Sequence, residues 1–343
     1  MLWFIGTGIS GYRSIPSRGL QLIREADTVY LEQFTSPIGG ADLLKIKKDA
    51  GGEFRIARRW MVEDGREILK NAKRGKVALV SYGDPYAATT HIELRTRAIR
   101  EKIRTGTVHG SSAIASVIGE CGLHHYKIGR LATVMGDPKS ATTPYYVTYR
   151  NLIEGNHTVL LLEYDQDRDF FLDPGDALSC LLDAEKEQRR CVVGPDTFAI
   201  VASRIGLRGQ RIVSGRVSRL QNADLGRPPH TIVIPGRMHF TETDALRALT
   251  VSLDEPADNS DGTKRIAAQM VEKYAPLIRD AMDEFSRRYG DIEELKPVLE
   301  NAALYVRDAE SFLQEGKDEV AILSIGYADG LVDALRMAKG MET

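Results

Sequence analysis

Two residues stand out as able to do chemistry on a small ligand. One is Asp84, in the stretch Ser81-Tyr82-Gly83-Asp84-Pro85-Tyr86-Ala87-Ala88-Thr89-Thr90-His91. Gly83 admits backbone angles closed to residues with a Cβ, and Pro85 fixes the exit from the turn, so the carboxylate between them is held to a narrow range of directions. That suits an anion that must point at a ligand; the plainer reading is an Asx-turn or a cap on the following helix. The other is His230, where Pro228-Pro229 lock the entry to an extended run. A histidine there can act as a base, as a hydrogen-bond partner of a ligand, or as a satisfied strand-edge residue.

Two further patterns invite chemistry less directly. Gly6-Thr7-Gly8-Ile9-Ser10-Gly11 satisfies GxGxxG literally, and Glu32 follows at about the 20-residue spacing at which dinucleotide-binding folds hold a ribose hydroxyl. Yet Ser14-Ile15-Pro16 sets a serine cap and an early-helix proline later than that fingerprint requires. Gly6 and Gly8 therefore read as a loop of close backbone approach rather than a pyrophosphate cradle. Arg58-Arg59-Trp60 is a small basic-aromatic cluster whose plain reading is a solvated element end with a packed tryptophan.

These residues need elements to position them. Residues 2 to 5, Val77-Ala78-Leu79-Val80 and Gly106-Thr107-Val108-His109 are short apolar runs of the strand type, each followed by a glycine-bearing turn and a helical pattern. Three such turns would line one edge of one sheet, where open parallel sheets gather ligands. A second α/β segment follows, with strands at Thr158 to Glu163, Asp196 to Ser203 and near Arg211. Asp254 to Gly262 is rich in breakers and reads as a linker. Beyond it three helical patterns appear, Lys264 to Tyr289, Ile292 to Gln314 and Asp318 to Lys339, with turns at Gly290-Asp291 and Glu315-Gly316-Lys317. The expected architecture is two α/β domains, residues 1–110 and 111–245, then a linker, 246–262, and an antiparallel helical domain, 263–343.

Composition excludes several classes. At 343 residues and 43% hydrophobic content the chain can bury real cores. No apolar run approaches the roughly 20 residues that span a bilayer, and the start Met1-Leu2-Trp3-Phe4-Ile5-Gly6 lacks the marks of a signal peptide. A cytoplasmic protein without membrane contact is expected. Cys121, Cys180 and Cys191 form no CxxC pair, so neither a disulfide framework nor a metal site is expected. Lys and Arg number 35 against 32 Asp and Glu in residues 1 to 261, and 11 against 16 in residues 262 to 343. Neither part is basic enough to bind nucleic acid nonspecifically.

Taken together, Phe4 to Ile9, Val29-Tyr30-Leu31-Glu32 with Thr35-Ser36, Gly83-Asp84-Pro85 through Ala87-Ala88-Thr89-Thr90-His91, and Pro228-Pro229-His230 through Pro235-Gly236 resemble the diphthine synthases of archaea and eukaryotes. So do His124 to Lys127, Pro144-Tyr145-Tyr146 and His157-Thr158. The resemblance runs to about residue 245 and places the chain in the methyltransferase class that includes the tetrapyrrole methylases.

The resemblance implies a cleft between two α/β domains that binds S-adenosylmethionine and yields S-adenosylhomocysteine, usually in a homodimer. It implies methyl transfer to the amine of the 3-amino-3-carboxypropyl histidine of elongation factor 2. The family's cofactor contacts fall on Ile9, Asp84, Ala87, Ser112, Ala113, Leu162, Ile205 and His230; no catalytic residue is assigned. Ile9 and Ala87 depart from the apolar residues common in the family, and Gly110-Ser111 stands where a proline often precedes the serine. The last eighty or so residues resemble a separate archaeal helical domain.

Overall fold

The computed structural model describes residues 1–259, 262–263, 265–289 and 292–341. They form two compact units, Met1–Gly262 and Thr263–Thr343. In the first unit the apolar runs become β1 (Leu2–Gly6), β2 (Thr28–Glu32), β3 (Glu53–Ala57), β4 (Val77–Ser81) and β5 (Thr105–Val108). They pair in parallel in the order β3-β2-β4-β1-β5. β2 and β4 are buried along their whole length, as strands covered on both faces must be. Because β4, β1 and β5 are neighbours, the three glycine-bearing turns do share one edge.

The second sheet uses β6 (Ala132–Val134), β7 (Thr158–Leu162), β10 (Phe198–Ser203), β11 (Arg211–Arg216), β12 (His230–Ile234) and β13 (Val251–Ser252), with β8 (Tyr164–Asp165) and β9 (Phe170–Phe171) as a separate hairpin. Its order is β13-β11-β10-β12-β7-β6. β10 runs antiparallel to both β11 and β12, and β12 antiparallel to β7. Successive strand residues face opposite sides. Ile5, Leu31 and Val80 thus join Ile200, Ala202 and Val233 in one core that spans both sheets. Phe4, Tyr30 and Leu79 face the other way, onto Ile68, Leu69 and Leu94.

Part of the stretch read as a linker is docked. Residues 246–249 complete the helix Phe240–Leu249, and β13 extends the second sheet through β11. The Asn259 side chain accepts from the Phe198 N–H and donates to the Phe198 and Pro235 carbonyls. Residues 260 and 261 lie outside the described residues. Ser14, expected as a helix cap, instead donates to Thr7 O at 2.8 Å and accepts from Ser10 N at 2.8 Å. It braces the loop after β1, and Pro16 precedes the helix Ser17–Glu25.

A buried ionic network holds the helix Phe240–Leu249 in place. Glu242 is fully buried and receives the N–H groups of His124 and His239, the Nζ of Lys127 at 2.5 Å and the Nε2–H of His157 at 2.9 Å. The other ring nitrogen of His157 accepts from Gly236 N–H, which fixes the tautomer.

The second unit packs helices Ile266–Tyr289, Lys296–Gln314 and Asp318–Ala338. Val271, Ile278, Val306, Ile325 and Val332 make its own core. Glu315 and Gly316 turn the chain between the last two helices, whereas the turn expected at Gly290-Asp291 lies outside the described residues. No helix among the described residues is long and apolar enough to cross a membrane.

Candidate functional site

The three turns meet backbone to backbone. Gly8 N–H donates to Gly83 O at 3.0 Å and Gly83 N–H to Gly8 O at 3.1 Å. A Cβ on Gly6 would stand 2.4 Å from Gly83 O, and one on Gly110 would stand 2.4 Å from the same oxygen and 2.6 Å from Gly8 N. Only glycine permits that approach. The pairing also argues against the dinucleotide-binding fingerprint. The Gly8 amide has no free hydrogen for a pyrophosphate, and Glu32 is fully buried, its Oε2 accepting from the N–H groups of Phe34 and Thr35.

Asp84 does two things at once. Its Oδ1 accepts from Tyr86 N–H at 3.0 Å, which is the Asx-turn of the plainer reading, while its Oδ2 accepts from His109 Nδ1 at 2.7 Å. The loop that follows is held from inside by His91, whose Nδ1 donates to Pro85 O at 2.9 Å. Burial pushes the His91 pKa below its ordinary value, so the ring stays neutral.

His230 begins β12 and lies 2.7 Å (Nδ1) from Ser203 Oγ. Ser203 uses its one hydrogen on Leu225 O at 2.5 Å, so Nδ1 must carry the proton and donate it. Burial lowers the His230 pKa. The neutral ring therefore keeps a lone pair on Nε2 for a ligand.

A cavity of about 840 Å³ opens where the strand ends of the two sheets face each other. Of the eight expected contacts it brings together Asp84, Ala87, Ser112, Ala113, Leu162, Ile205 and His230. Ser112 caps the helix Ala113–Glu120, its Oγ accepting from Ile114 N–H at 3.2 Å. Ile9 is the exception. It is buried behind the wall, where a Cβ on Gly206 would come within 2.6 Å of its side chain. An apolar wall carrying a few convergent polar groups is what small-molecule sites present.

Sequence reasoning missed His109, the partner of Asp84, and several residues that line the cavity. His109 carries no motif, although its place after β5, near the turn of β4, was a usable signal. Arg58, Arg59 and Trp60 line the cavity, and Trp60 is 63% exposed rather than packed. Tyr164 to Asp167, from the β8–β9 hairpin, line it as well, and no periodicity announces so short a hairpin.

Comparison with known proteins adds the family. Residues 1–221 match the tetrapyrrole (corrin/porphyrin) methylases, and residues 273–341 match a separate protein family of unknown function, DUF357. The chain is 34% identical over 266 residues to the diphthine synthase of Methanosarcina mazei, covering 76% of this chain and 99% of that one. It is 33% identical over 248 residues to the diphthine synthase of Methanothermobacter thermautotrophicus, covering 72% and 94%. A crystal structure of diphthine synthase matches with a TM-score of 0.67 at 29% identity, over 76% of this chain and 99% of the other.

Proposed function

The chain belongs to the tetrapyrrole methylases and, among them, to the diphthine synthases, which are S-adenosylmethionine-dependent methyltransferases. From that premise we propose that it transfers methyl groups to the amine of the 3-amino-3-carboxypropyl histidine of elongation factor 2, in diphthamide biosynthesis, releasing S-adenosylhomocysteine. The observation that carries this reading is the cavity at the facing strand ends, with Asp84, Ser112, Ala113 and His230 on its walls.

The residues fit the cofactor. Ala87, Ala113, Leu162 and Ile205 offer small apolar surface for a nucleoside, with Ile9 supporting Ile205's neighbour Gly206 from behind. Asp84 offers a fixed carboxylate to hydroxyl or ammonium groups, and His230 a neutral acceptor nitrogen. When bound, S-adenosylmethionine would supply a methyl group already activated on a positive sulfur, for transfer to the amine with S-adenosylhomocysteine as the leaving group. The chain's own part is alignment in a water-poor cleft, an effect of roughly 7–11 kcal/mol when the geometry is near attack. Asp84 holds the cofactor rather than taking the proton that leaves the amine. The working assembly in this reading is a homodimer acting on elongation factor 2.

The test is transfer of labelled methyl groups by the purified protein to elongation factor 2 bearing the aminocarboxypropyl histidine. Label on the protein substrate is expected. Tight S-adenosylhomocysteine binding without any transfer would defeat the substrate assignment while leaving the cofactor site intact.

A further inference from the structure

The assigned cofactor contacts leave one end of the cavity unexplained. On the first sheet those contacts follow β4 and β5, whereas Arg58, Arg59 and Trp60 follow β3. Strands in a sheet lie about 4.8 Å apart, so the end of β3, two positions from β4, stands about 10 Å along the edge from the Asp84 turn. The length of an arginine side chain bridges much of that gap. The cavity therefore runs along the strand ends, with a charged end beyond its apolar one, where Arg58 and Arg59 meet Glu63, Asp165 and Asp167.

That end already holds a carboxylate. Arg58 Nη1 lies 3.3 Å from Asp167 Oδ1, which reaches it from the turn of the β8–β9 hairpin. The two side chains are 63% and 75% exposed, and so exposed a pair contributes little and yields readily to a competitor. Arg59 lies over the face of Phe34, 5.1 Å from the ring centroid, while its nearest acid, Glu63, is 3.7 Å away. A guanidinium stacked on a ring keeps its N–H edge free for a two-pronged bond, the geometry that carboxylates match.

Resting on the reaction proposed above, we infer that Arg58 and Arg59 form the subsite for the carboxylate of the aminocarboxypropyl group, with Asp167 occupying Arg58 until the substrate arrives. The carboxylate and the amine of that group share one carbon, so fixing the first at the β3 end aims the second towards the methyl donor near β4. Recognition of the carboxylate also distinguishes a modified histidine from an ordinary one. Exposed Trp60 offers an apolar face to the peptide that carries it.

The experiment measures steady-state methylation of modified elongation factor 2 by the full chain and its Arg58→Gln/Arg59→Gln double variant, with calorimetric binding of S-adenosylhomocysteine to each. The double variant is expected to raise KM for the protein substrate at least about tenfold and to leave the cofactor product's Kd within about twofold. An unchanged KM, or a Kd that rises in parallel with it, overturns the assignment. Should the double variant melt early, Asp167→Ala is decisive instead: it frees Arg58 and is expected to lower KM, and an unchanged or higher KM counts against the subsite. If the parent chain binds S-adenosylhomocysteine but methylates no elongation factor, the reaction itself is wrong and the inference falls with it.

Discussion

Asp84 and His109 meet at 2.7 Å between Oδ2 and Nδ1, because the strands that deliver them, β4 and β5, flank the same neighbour, β1. The contact leaves the carboxylate tied on one oxygen by Tyr86 N–H and on the other by an imidazole that is largely exposed. The direction of the carboxylate is thus set by the turn and trimmed by His109.

Asp84→Asn keeps an oxygen for Tyr86 N–H and removes the charge. Hydrogen bonds to charged groups contribute about 1.5–3 kcal/mol, so Kd for S-adenosylhomocysteine is expected to rise at least about tenfold by calorimetry. His109→Ala removes only an exposed partner, and exposed ion pairs contribute about 0–1 kcal/mol. A larger loss for His109→Ala than for Asp84→Asn would transfer the binding role to the histidine.

His230→Asn is expected to weaken S-adenosylhomocysteine binding by about 1–2 kcal/mol, the cost of one lost hydrogen bond. The tautomer argument adds a spectroscopic check. In the free protein the ring should be neutral at pH 7, with Nδ1 protonated and Nε2 bare, in nitrogen-detected NMR. A protonated Nε2 would contradict the Ser203 relay, and an unchanged Kd would make His230 a strand-edge residue only.

The apolar runs of β1 and β4 and their glycine turns are legible because burial on both faces and backbone crossing leave local marks. The Asp84–His109 pair is not, since it depends on sheet order rather than on spacing. Arg58-Arg59-Trp60 reads the same locally whether it faces solvent or a cleft; only the position of β3 at the sheet edge decides. Asn259 sits in a breaker-rich stretch whose composition suggests a linker, yet its side chain bonds backbone groups of β10 and the end of β12. Long-range polar ties of that kind leave no trace in hydropathy, and the Glu242 network was missed for the same reason.

Glu242 predicts an acid-sensitive stability. Burial alone would raise its pKa, but the hydrogen bonds from His239 N–H, Lys127, His124 N–H and His157 outweigh it and hold the carboxyl down to about 2, against an ordinary 4.5. The unfolded chain therefore binds the proton first, so this stabilisation is fully present above 4.5 and lost as pH falls towards 2. His157, lowered chiefly by burial from an ordinary 6.5, acts in the same direction from higher pH. Glu32 acts oppositely: burial raises it to about 7, so its contribution is present below 4.5 and fades as pH rises towards 7. Glu242→Gln should cost about 3–5 kcal/mol at pH 7, as breaking a buried pair does. Urea unfolding across pH should show that gap narrowing below 4.5; a gap independent of pH would refute the account.

The helical unit has a core of its own, Val271, Ile278, Val306, Ile325 and Val332, and ion pairs of its own, Arg265–Asp318 at 2.7 Å and Arg279–Glu310 at 2.7 Å. A cut at residue 250 would strip β13, Asp254 and Asn259 from the first unit, whereas a cut after Gly262 follows the division between the compact units. A chain of residues 1–262 is therefore expected to stay folded and to bind S-adenosylhomocysteine with Kd within about twofold of the full chain. Aggregation of that chain would show that the helical unit stabilises the enzyme. The second unit also leaves Leu323 and Tyr327 59% and 56% exposed one turn apart on one helix, with Leu304 exposed on another. KM for elongation factor 2 reads out what that surface does. A KM raised in the shortened chain, with the cofactor Kd and kcat unchanged, assigns the helical unit to holding the protein substrate. Loss of that increase in the full-length Leu323→Ser/Tyr327→Ser variant would place the contact elsewhere on the unit, and an equal increase would locate it on this face.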